Sequence, residues 1–425
     1  MLRRLLNRSL LRTNLAKSSF WVLIGNGTVL VLQALRFVFL ARLLGIREYG
    51  LYAAAMALAM TVARYSDLGF IMLFMQQVSR DRSAAKTCLG NAFVVTVATT
   101  TILCTVALFV GSHITGAANE ALLLVLMFSQ CLLCQLANIA AIAFLTLDKA
   151  KATACVRAIA SAPLTVSVLV MLPVVHHATA LEWGVVSLAV NGVAAAITVI
   201  WIAREVGGIA FEANQSIRLI PSGLKYSVAN SSTMVYNDID KVILAHDGFV
   251  RENGFYTLAY RAIDVAAAPV LALAAASQPR FFQLSDSDRQ RMGGFLARTA
   301  SIAVLISVVM VVLLLLGSPL IPRLVGKDFS QAIVVLRWLC LIPIFRSIHQ
   351  LTGNALTGMD RQGLRTIIQS AVAILNVTLN IWWIPKLGWM GAAESSLISD
   401  GLLAVVTSVF VVLFLKQLEK QPSPA

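Results

Sequence analysis

A few charged side chains interrupt the long apolar stretches of this chain, and their types and spacing are its main chemical resource. Arg36 stands alone in its stretch. Arg64/Asp67 and Arg261/Asp264 are two Arg–Asp pairs at (i, i+3) spacing. Asp238, Asp240 and Lys241 form a cluster, and Arg337, Arg346 and Asp400 follow singly. An arginine stays charged at any working pH and offers a planar fork suited to phosphate. Arg36 and Arg261, with Arg337 and Arg64 beside them, are therefore candidate anchors for an anionic head group. The carboxylates Asp264, Asp240 and Asp67, with Asp238 nearby, could instead take H+ or Na+ as a coupling ion. A plainer reading stands beside both: each (i, i+3) pair is a neutral bridge, and Asp240–Lys241 a salt bridge.

Uncharged polar residues extend the pattern. Asn26, Gln33 and Arg36 are spaced seven and three apart, which places them on one helical stripe. A shift of 204 residues lays Asn230, Asn237 and Asp240 over them, with Tyr226 one turn earlier and Tyr260 beyond. Each stripe is either satisfied inside its own helical bundle or turned towards a shared, water-filled cleft; stripes on repeat-related helices favour the cleft.

Other chemistries find no support. The chain has no phosphate-binding loop and no nucleophile–His–acid set. His176-His177 is at best a weak metal site, so no cofactor or resident metal is expected. Cys131 and Cys134 form a CxxC inside an apolar stretch without a second pair, which reads as packing. A net charge of +14 suggests nucleic acid, but the basic residues lie in short connections rather than in a patch with aromatics, so no nucleic-acid partner is expected.

The elements that must position these residues are helices in a membrane. Only 13% of the residues are charged and 58% are hydrophobic. Apolar runs of at least ~20 residues, the length that spans a bilayer, recur along the whole chain, and backbone in lipid must satisfy its own hydrogen bonds. Bounding the runs by charge and Gly/Pro predicts twelve spans, near 18–41, 50–73, 87–111, 119–146, 153–174, 181–203, 220–245, 253–278, 293–316, 330–356, 364–384 and 389–415. Of the 34 Lys and Arg residues, 22 then fall on the side of the N-terminus and 6 on the other, which orients both termini to the cytoplasm.

The internal repeat organises the spans. At the 204-residue shift, Leu40–Tyr52 lies over Leu244–Tyr256 with identical Leu, Ala, Arg, Glu, Gly and Tyr. Both segments join the first span of a half to its second on the same side of the membrane, predicting two parallel six-helix lobes. The expected layout is a basic cytoplasmic segment (1–17), a first lobe (18–203), a linker (204–219), a second lobe (220–415) and a cytoplasmic tail (416–425).

The segment from Leu40 through Gly50-Leu-Tyr52 to Ser66-Asp67-Leu68-Gly69 resembles the N-terminal signature of the polysaccharide (O-antigen type) flippases. Asp238-Ile-Asp-Lys-Val-Ile-Leu244 running into Gly254-Phe-Tyr-Thr-Leu-Ala-Tyr-Arg261 resembles them too. These flippases belong to the multidrug/oligosaccharidyl-lipid/polysaccharide exporter superfamily, and the resemblance spans the whole chain. It implies a V-shaped pair of six-helix lobes with a central cavity, in a bacterial inner membrane. It implies a cargo of polyprenyl-diphosphate-linked oligosaccharide, flipped by alternating access for O-antigen, capsule or exopolysaccharide. The expected partners are that lipid-linked cargo, membrane lipids, and a polymerase with other polysaccharide-assembly proteins. The diphosphate would dock on Arg36 and Arg261, with sugars in the Asn/Gln/Tyr-lined cleft. A multidrug exporter of the same superfamily and a membrane glycan polymerase or ligase are the competing readings.

Overall fold

The computed structural model describes residues 2–115, 120–175, 177–284 and 289–419, leaving aside the side chains of 2–20, 22–24, 110–115, 225, 228–237, 289–290 and 417–419. His176, the side chains of Asn230 and Asn237, and those of the basic N-terminal segment therefore lie outside the described residues, as does most of the tail.

Among the described residues the chain is helical throughout. In order, the α-helices are α1 (Leu2–Ala63), α2 (Phe70–Arg80), α3 (Ala85–Thr115), α4 (Glu120–Met127), α5 (Gln135–Thr146), α6 (Ala150–Val174), α7 (Ala180–Val206), α8 (Ala213–His246), α9 (Val250–Gln283), α10 (Arg289–Gly317), α11 (Ile321–Leu324), α12 (Gln331–Leu339), α13 (Ile342–Gly358), α14 (Gln362–Leu387) and α15 (Trp389–Glu419). A π-helical stretch, Phe128–Cys134, joins α4 to α5.

Nine segments among the described residues are long and apolar enough to cross a membrane, and α12 with α13 form one more span bent by 43°. Two features raise that to the twelve predicted crossings. α1 is two spans, because Gly45 leaves helical geometry at φ 72° and ψ 172°, a conformation glycine adopts without steric cost. α8 is long enough to span but carries too many Asn, Ser, Asp and Lys residues to register as apolar. The protein is thus an all-α, multi-pass membrane protein with six spans before α8 and six from α8 onward.

The repeated Leu40–Tyr52 and Leu244–Tyr256 segments have a structural purpose. The Ala180 N–H at the start of α7 donates to Glu48 Oε2 at 2.8 Å, and the Trp389 N–H at the start of α15 donates to Glu252 Oε2 at 2.8 Å. Glu48 and Glu252 are the repeat-related glutamates. Each ties the first connection of its half to the exposed N–H groups opening that half's last helix, where a carboxylate also meets the positive end of the helix dipole. A second structural echo escapes the 204-residue shift. Asp148 and Asp360 both turn the chain in the left-handed region, at φ 61° and 58°, a conformation Asp tolerates better than most residues. In both turns the next N–H reaches back to a helix carbonyl, Lys149 to Phe144 at 2.8 Å and Arg361 to Leu356 at 2.9 Å.

The chain divides into two compact units, Met1–Ser231 and Ser232–Ala425. That division lies inside α8, beyond the expected 204–219 linker. The non-helical connection is only 207–212, and the first turns of α8 are held by the first unit. The Glu212 N–H donates to Asn91 Oδ1 at 2.9 Å and Asn91 Nδ2 donates to Gln215 Oε1 at 2.8 Å. Backbones then meet at two glycines: a Cβ on Gly69, whose φ is 75°, would lie 2.1 Å from the Gly223 carbonyl oxygen. Each unit has its own apolar core, one around Phe74, Leu89, Ile139 and Phe144, the other around Val270, Phe281, Leu351 and Leu356.

Removing either cap, Glu48→Ala or Glu252→Ala, should destabilise the protein by about 1–2 kcal/mol, the usual loss for a helix cap, and lower its Tm in detergent. Gly69→Ala should be more damaging, because it imposes both a strained φ and a backbone collision; its yield of monodisperse protein should fall well below that of Gly27→Ala, which has open space around it.

Candidate functional site

The first unit contains a cavity of about 540 Å³ among α1, the π-helical stretch, α5, α6 and α7. The predicted stripe lines it: Asn26, Gln33 and Arg36 all reach the cavity wall, as do Tyr52, Met56 and Met60 from beyond the Gly45 break. In this half Asn26, Gln33 and Arg36 line a space walled by helices of the first unit. Opposite them stand Gln130 and Cys134, Asn138, Arg157 and Ser161, and Trp183, Ser187 and Asn191.

Local structure explains how so many polar groups reach one space. The wider π turn redirects Gln130 and Cys134 towards the cavity, and such bulges recur at functional sites. One carbonyl it displaces, that of Cys131, accepts from Thr100 Oγ1 at 3.0 Å. α6 approaches α1 closely enough for Thr165 Oγ1 to donate to the Leu32 carbonyl at 3.1 Å. That approach lets Arg157 donate to Asn26 Oδ1. Asn191 Nδ2 donates to Ser129 Oγ at 2.8 Å, fixing α7 against the π stretch.

The cavity's charge is one-sided. Two guanidiniums line it and no carboxylate does. Two more donors, the Trp183 indole Nε1 and the Ser161 hydroxyl, are buried without a hydrogen-bond partner. An indole N–H can only donate, and an unmatched buried donor is costly. The described lining thus offers donors and positive charge and no carboxylate. Arg157 is absent from the sequence candidates; its neighbours Val156 and Ala160 also line the cavity, and that apolar setting is the available signal.

The second unit arranges its charges in the opposite sense. Asp240, at the repeat position of Arg36, is 1% exposed; its Oδ2 accepts from the Tyr256 hydroxyl at 2.5 Å and its Oδ1 from the Lys241 N–H at 2.8 Å. Lys241, also 1% exposed, donates to Asp238 at 2.8 Å and lies 4.4 Å from the Tyr260 ring centroid. Arg261 contacts Asp264 at 3.1 Å and Asp238 at 3.8 Å. Arg346, on α13, donates to Asp264 at 2.8 Å and to the Tyr260 hydroxyl at 2.8 Å.

This network locates the expected residues. Arg261 is held between Asp264 and Asp238, the first of these being the (i, i+3) bridge that its spacing offered. Asp264 is bound by two arginines, and the hydroxyl of the buried Tyr260 is engaged by Arg346. Arg337 lies exposed on α12, away from the cluster. In the first unit Arg64 is exposed, whereas Asp67 is buried and accepts the Ile71 N–H at 3.1 Å, capping α2. Among the described residues no group of three or more His, Cys, Asp or Glu could hold a metal ion. Sequence reading had noted Arg346 and Asp400 without assigning them a place, and had passed over His349, which only the packing of α13 on α15 brings to Asp400 at 3.4 Å.

The fold is shared with solved transporters. A multidrug resistance MATE family transporter of the MOP superfamily, inward-facing, aligns with a TM-score of 0.74 at 15% identity, over 95% of this chain and 100% of that one. The lipid II flippase MurJ in an inward closed conformation aligns with a TM-score of 0.70 at 16% identity, over 95% and 93%. A MOP superfamily transporter from Pyrococcus furiosus Vc1 aligns with a TM-score of 0.63 at 14% identity, over 96% of each chain. Identities this low carry the twelve-helix transporter fold and no cargo. No curated protein sequence matches the chain. Residues 39–334 match the pattern of one family, and with well over half of its length so matched, the chain belongs to the polysaccharide biosynthesis protein family.

Proposed function

We propose that the protein is a flippase that moves a polyprenyl-diphosphate-linked oligosaccharide across the bacterial cytoplasmic membrane for surface polysaccharide assembly, with both termini in the cytoplasm. The observation that carries this reading is the first unit's cavity, which offers two guanidiniums and orphaned donors and no carboxylate, in a chain of the polysaccharide biosynthesis family. A diphosphate presents the oxygens and the charge that such a surface lacks, and guanidinium forks bind it in two-point fashion. The amides of Asn26, Gln33, Gln130, Asn138 and Asn191 suit sugar hydroxyls. A volume of about 540 Å³ accommodates a diphosphate with its first sugars.

In this mechanism Arg36 and Arg157 take the diphosphate, while Arg261 remains within the second unit's ion pairs. The prenyl chain stays in lipid, the solvent it matches. Alternating access then presents the loaded cavity to one leaflet and afterwards to the other. No covalent chemistry is required, and the work is differential binding in two conformations. Energy for a directed cycle would come from an H+ or Na+ gradient acting on the carboxylate-rich second unit. A multidrug exporter of the same superfamily is the competing reading, but a cationic drug entering this cavity would meet two like charges.

Arg36→Ala and Arg157→Ala should each reduce surface glycan at least tenfold in cells whose own copy is deleted. Lipid-linked repeat units should accumulate in the inner leaflet, with membrane levels of the protein unchanged by immunoblot, and Arg36→Lys should retain part of the activity. Wild-type glycan export from both alanine variants would sink the proposal. Loss of resistance to cationic compounds with intact glycan, on deleting the protein, would favour the drug exporter.

A further inference from the structure

Asp148–Lys149 and Asp360–Arg361 turn the chain alike, and each turn opens a helix, α6 in the first unit and α14 in the second. The two copies differ in how their charges are answered. In the first unit Asp148 pairs with Arg82 and Lys149 with Glu205. Thr153, four residues past the lysine, donates to the Ala141 carbonyl at 3.1 Å. That copy is complete in itself.

In the second unit the bases meet uncharged partners instead. Phe414 takes the place of Glu205, since each stands 25 residues beyond the capped residue that opens its helix, Ala180 in α7 and Trp389 in α15. The Arg361 guanidinium accordingly lies over the Phe414 ring, 5.0 Å from its centroid. Arg365 stands where the first copy has Thr153, and it lies against Gly353, at the place of Ala141. A Cβ on Gly353 would come within 3.0 Å of the Arg365 Nε and 3.1 Å of its Cζ, so glycine is what leaves the guanidinium room on α13. Its Nη1 donates to Thr357 Oγ1 at 3.0 Å. Among the described residues neither guanidinium is in ion-pair contact with a carboxylate, Asp360 included.

The Arg365 N–H donates to the Arg361 carbonyl at 3.1 Å, which sets the two side chains one helical turn apart. Like charges at that spacing repel. An anion between them offsets the repulsion and engages both planar forks, as phosphate does. The surroundings select a lipid phosphate. Here α14 begins and α15 ends, where two spans leave the apolar layer. Exposed Ile367 on α14, with Val409 and Leu413 on α15, offer acyl chains a path from the same level. Asp360, exposed beside Arg361, leaves the turn with one net positive charge, the match for a phosphodiester rather than for a free phosphate dianion. Basic pockets at the ends of membrane helices are general seats for lipid head groups. We propose that Arg361 and Arg365 form a binding site for the phosphate of one anionic phospholipid, at the common end of α13, α14 and α15. The site is independent of what the protein carries.

The test uses the purified full-length chain in detergent and reads lipid binding, not glycan, so its failure is separate from that of the flippase reading. Phosphatidylglycerol should raise the Tm by a few degrees over the same amount of phosphatidylcholine at matched ionic strength. Native mass spectrometry should show a tightly retained phosphatidylglycerol on each chain. Arg361→Gln and Arg365→Gln should each weaken that retention by roughly fivefold or more. Phe414→Glu, which supplies the acid that the first copy has, should do the same. Arg280→Gln, which removes an exposed base from the end of α9, should leave both readings as in wild type. Should Arg365→Gln or Phe414→Glu fail to give monodisperse protein, Arg361→Gln, at an exposed position, decides alone. No preference for phosphatidylglycerol in the wild type, or full retention in Arg361→Gln, would overturn the proposal. So would an equal loss in Arg280→Gln, or a Tm rise of the same size from inorganic phosphate.

Discussion

A charge carried into the apolar layer has to be answered there by the protein, because lipid offers neither hydrogen bonds nor counter-ions. That constraint organises both halves of this molecule. In the second unit it is met by density: Lys241 between Asp238 and Asp240, Arg261 between Asp238 and Asp264, and Arg346 between Asp264 and the Tyr260 hydroxyl. Such a cluster is no guarantee of stability, since buried ion pairs only offset their own desolvation. It does tie three helices, α8, α9 and α13, to one another. In the first unit the described charges lie in a different setting. Arg36 and Arg157 share a cavity with no acid, and two buried donors there have no partner.

The internal repeat shows how this asymmetry arose on a common frame. Glu48 and Glu252 perform the same task at the same repeat position, each tying the first connection of a half to the opening turn of its last helix. Tyr52 and Tyr256 likewise occupy matched places, the first on the cavity wall and the second donating to Asp240. The charged position beside them has diverged, with Arg36 in one half and Asp240 in the other. Opposite signs thus stand at one repeat position, Arg36 on the wall of the first unit's cavity and Asp240 within the second unit's ion pairs.

Family and fold set limits of different kinds on function. The match to the polysaccharide biosynthesis family covers residues 39–334, a range that includes the cavity residues from Tyr52 onward and the α8–α9 side of the ion-pair network. The structural likenesses reach across transporters whose stated substrates differ, a multidrug resistance protein and a lipid II flippase among them. A shared twelve-helix frame is compatible with either cargo. The sign and donor content of the interior, on which the proposed cargo rests, depends on a few side chains.

The sequence by itself determined the membrane architecture. Twelve spans, their grouping as six and six, and the 204-residue repeat are all legible because hydrophobic length and local identity are properties of contiguous residues. The stripe of Asn26, Gln33 and Arg36 was legible for the same reason, as helical spacing sets a shared face. Which way that face turns was not, since the rotation of a helix in its bundle is set by every neighbour at once. Only the tertiary structure therefore set the stripe along the wall of the first unit's cavity and brought Arg157 to meet it from 131 residues away. Only the tertiary structure added Asp238 to the Arg261–Asp264 pair, left Arg337 exposed, gave Asp67 to the start of α2, and set His349 against Asp400. Those outcomes rest on distances between residues far apart in the chain, fixed by how helices close on one another to satisfy charges that the lipid cannot.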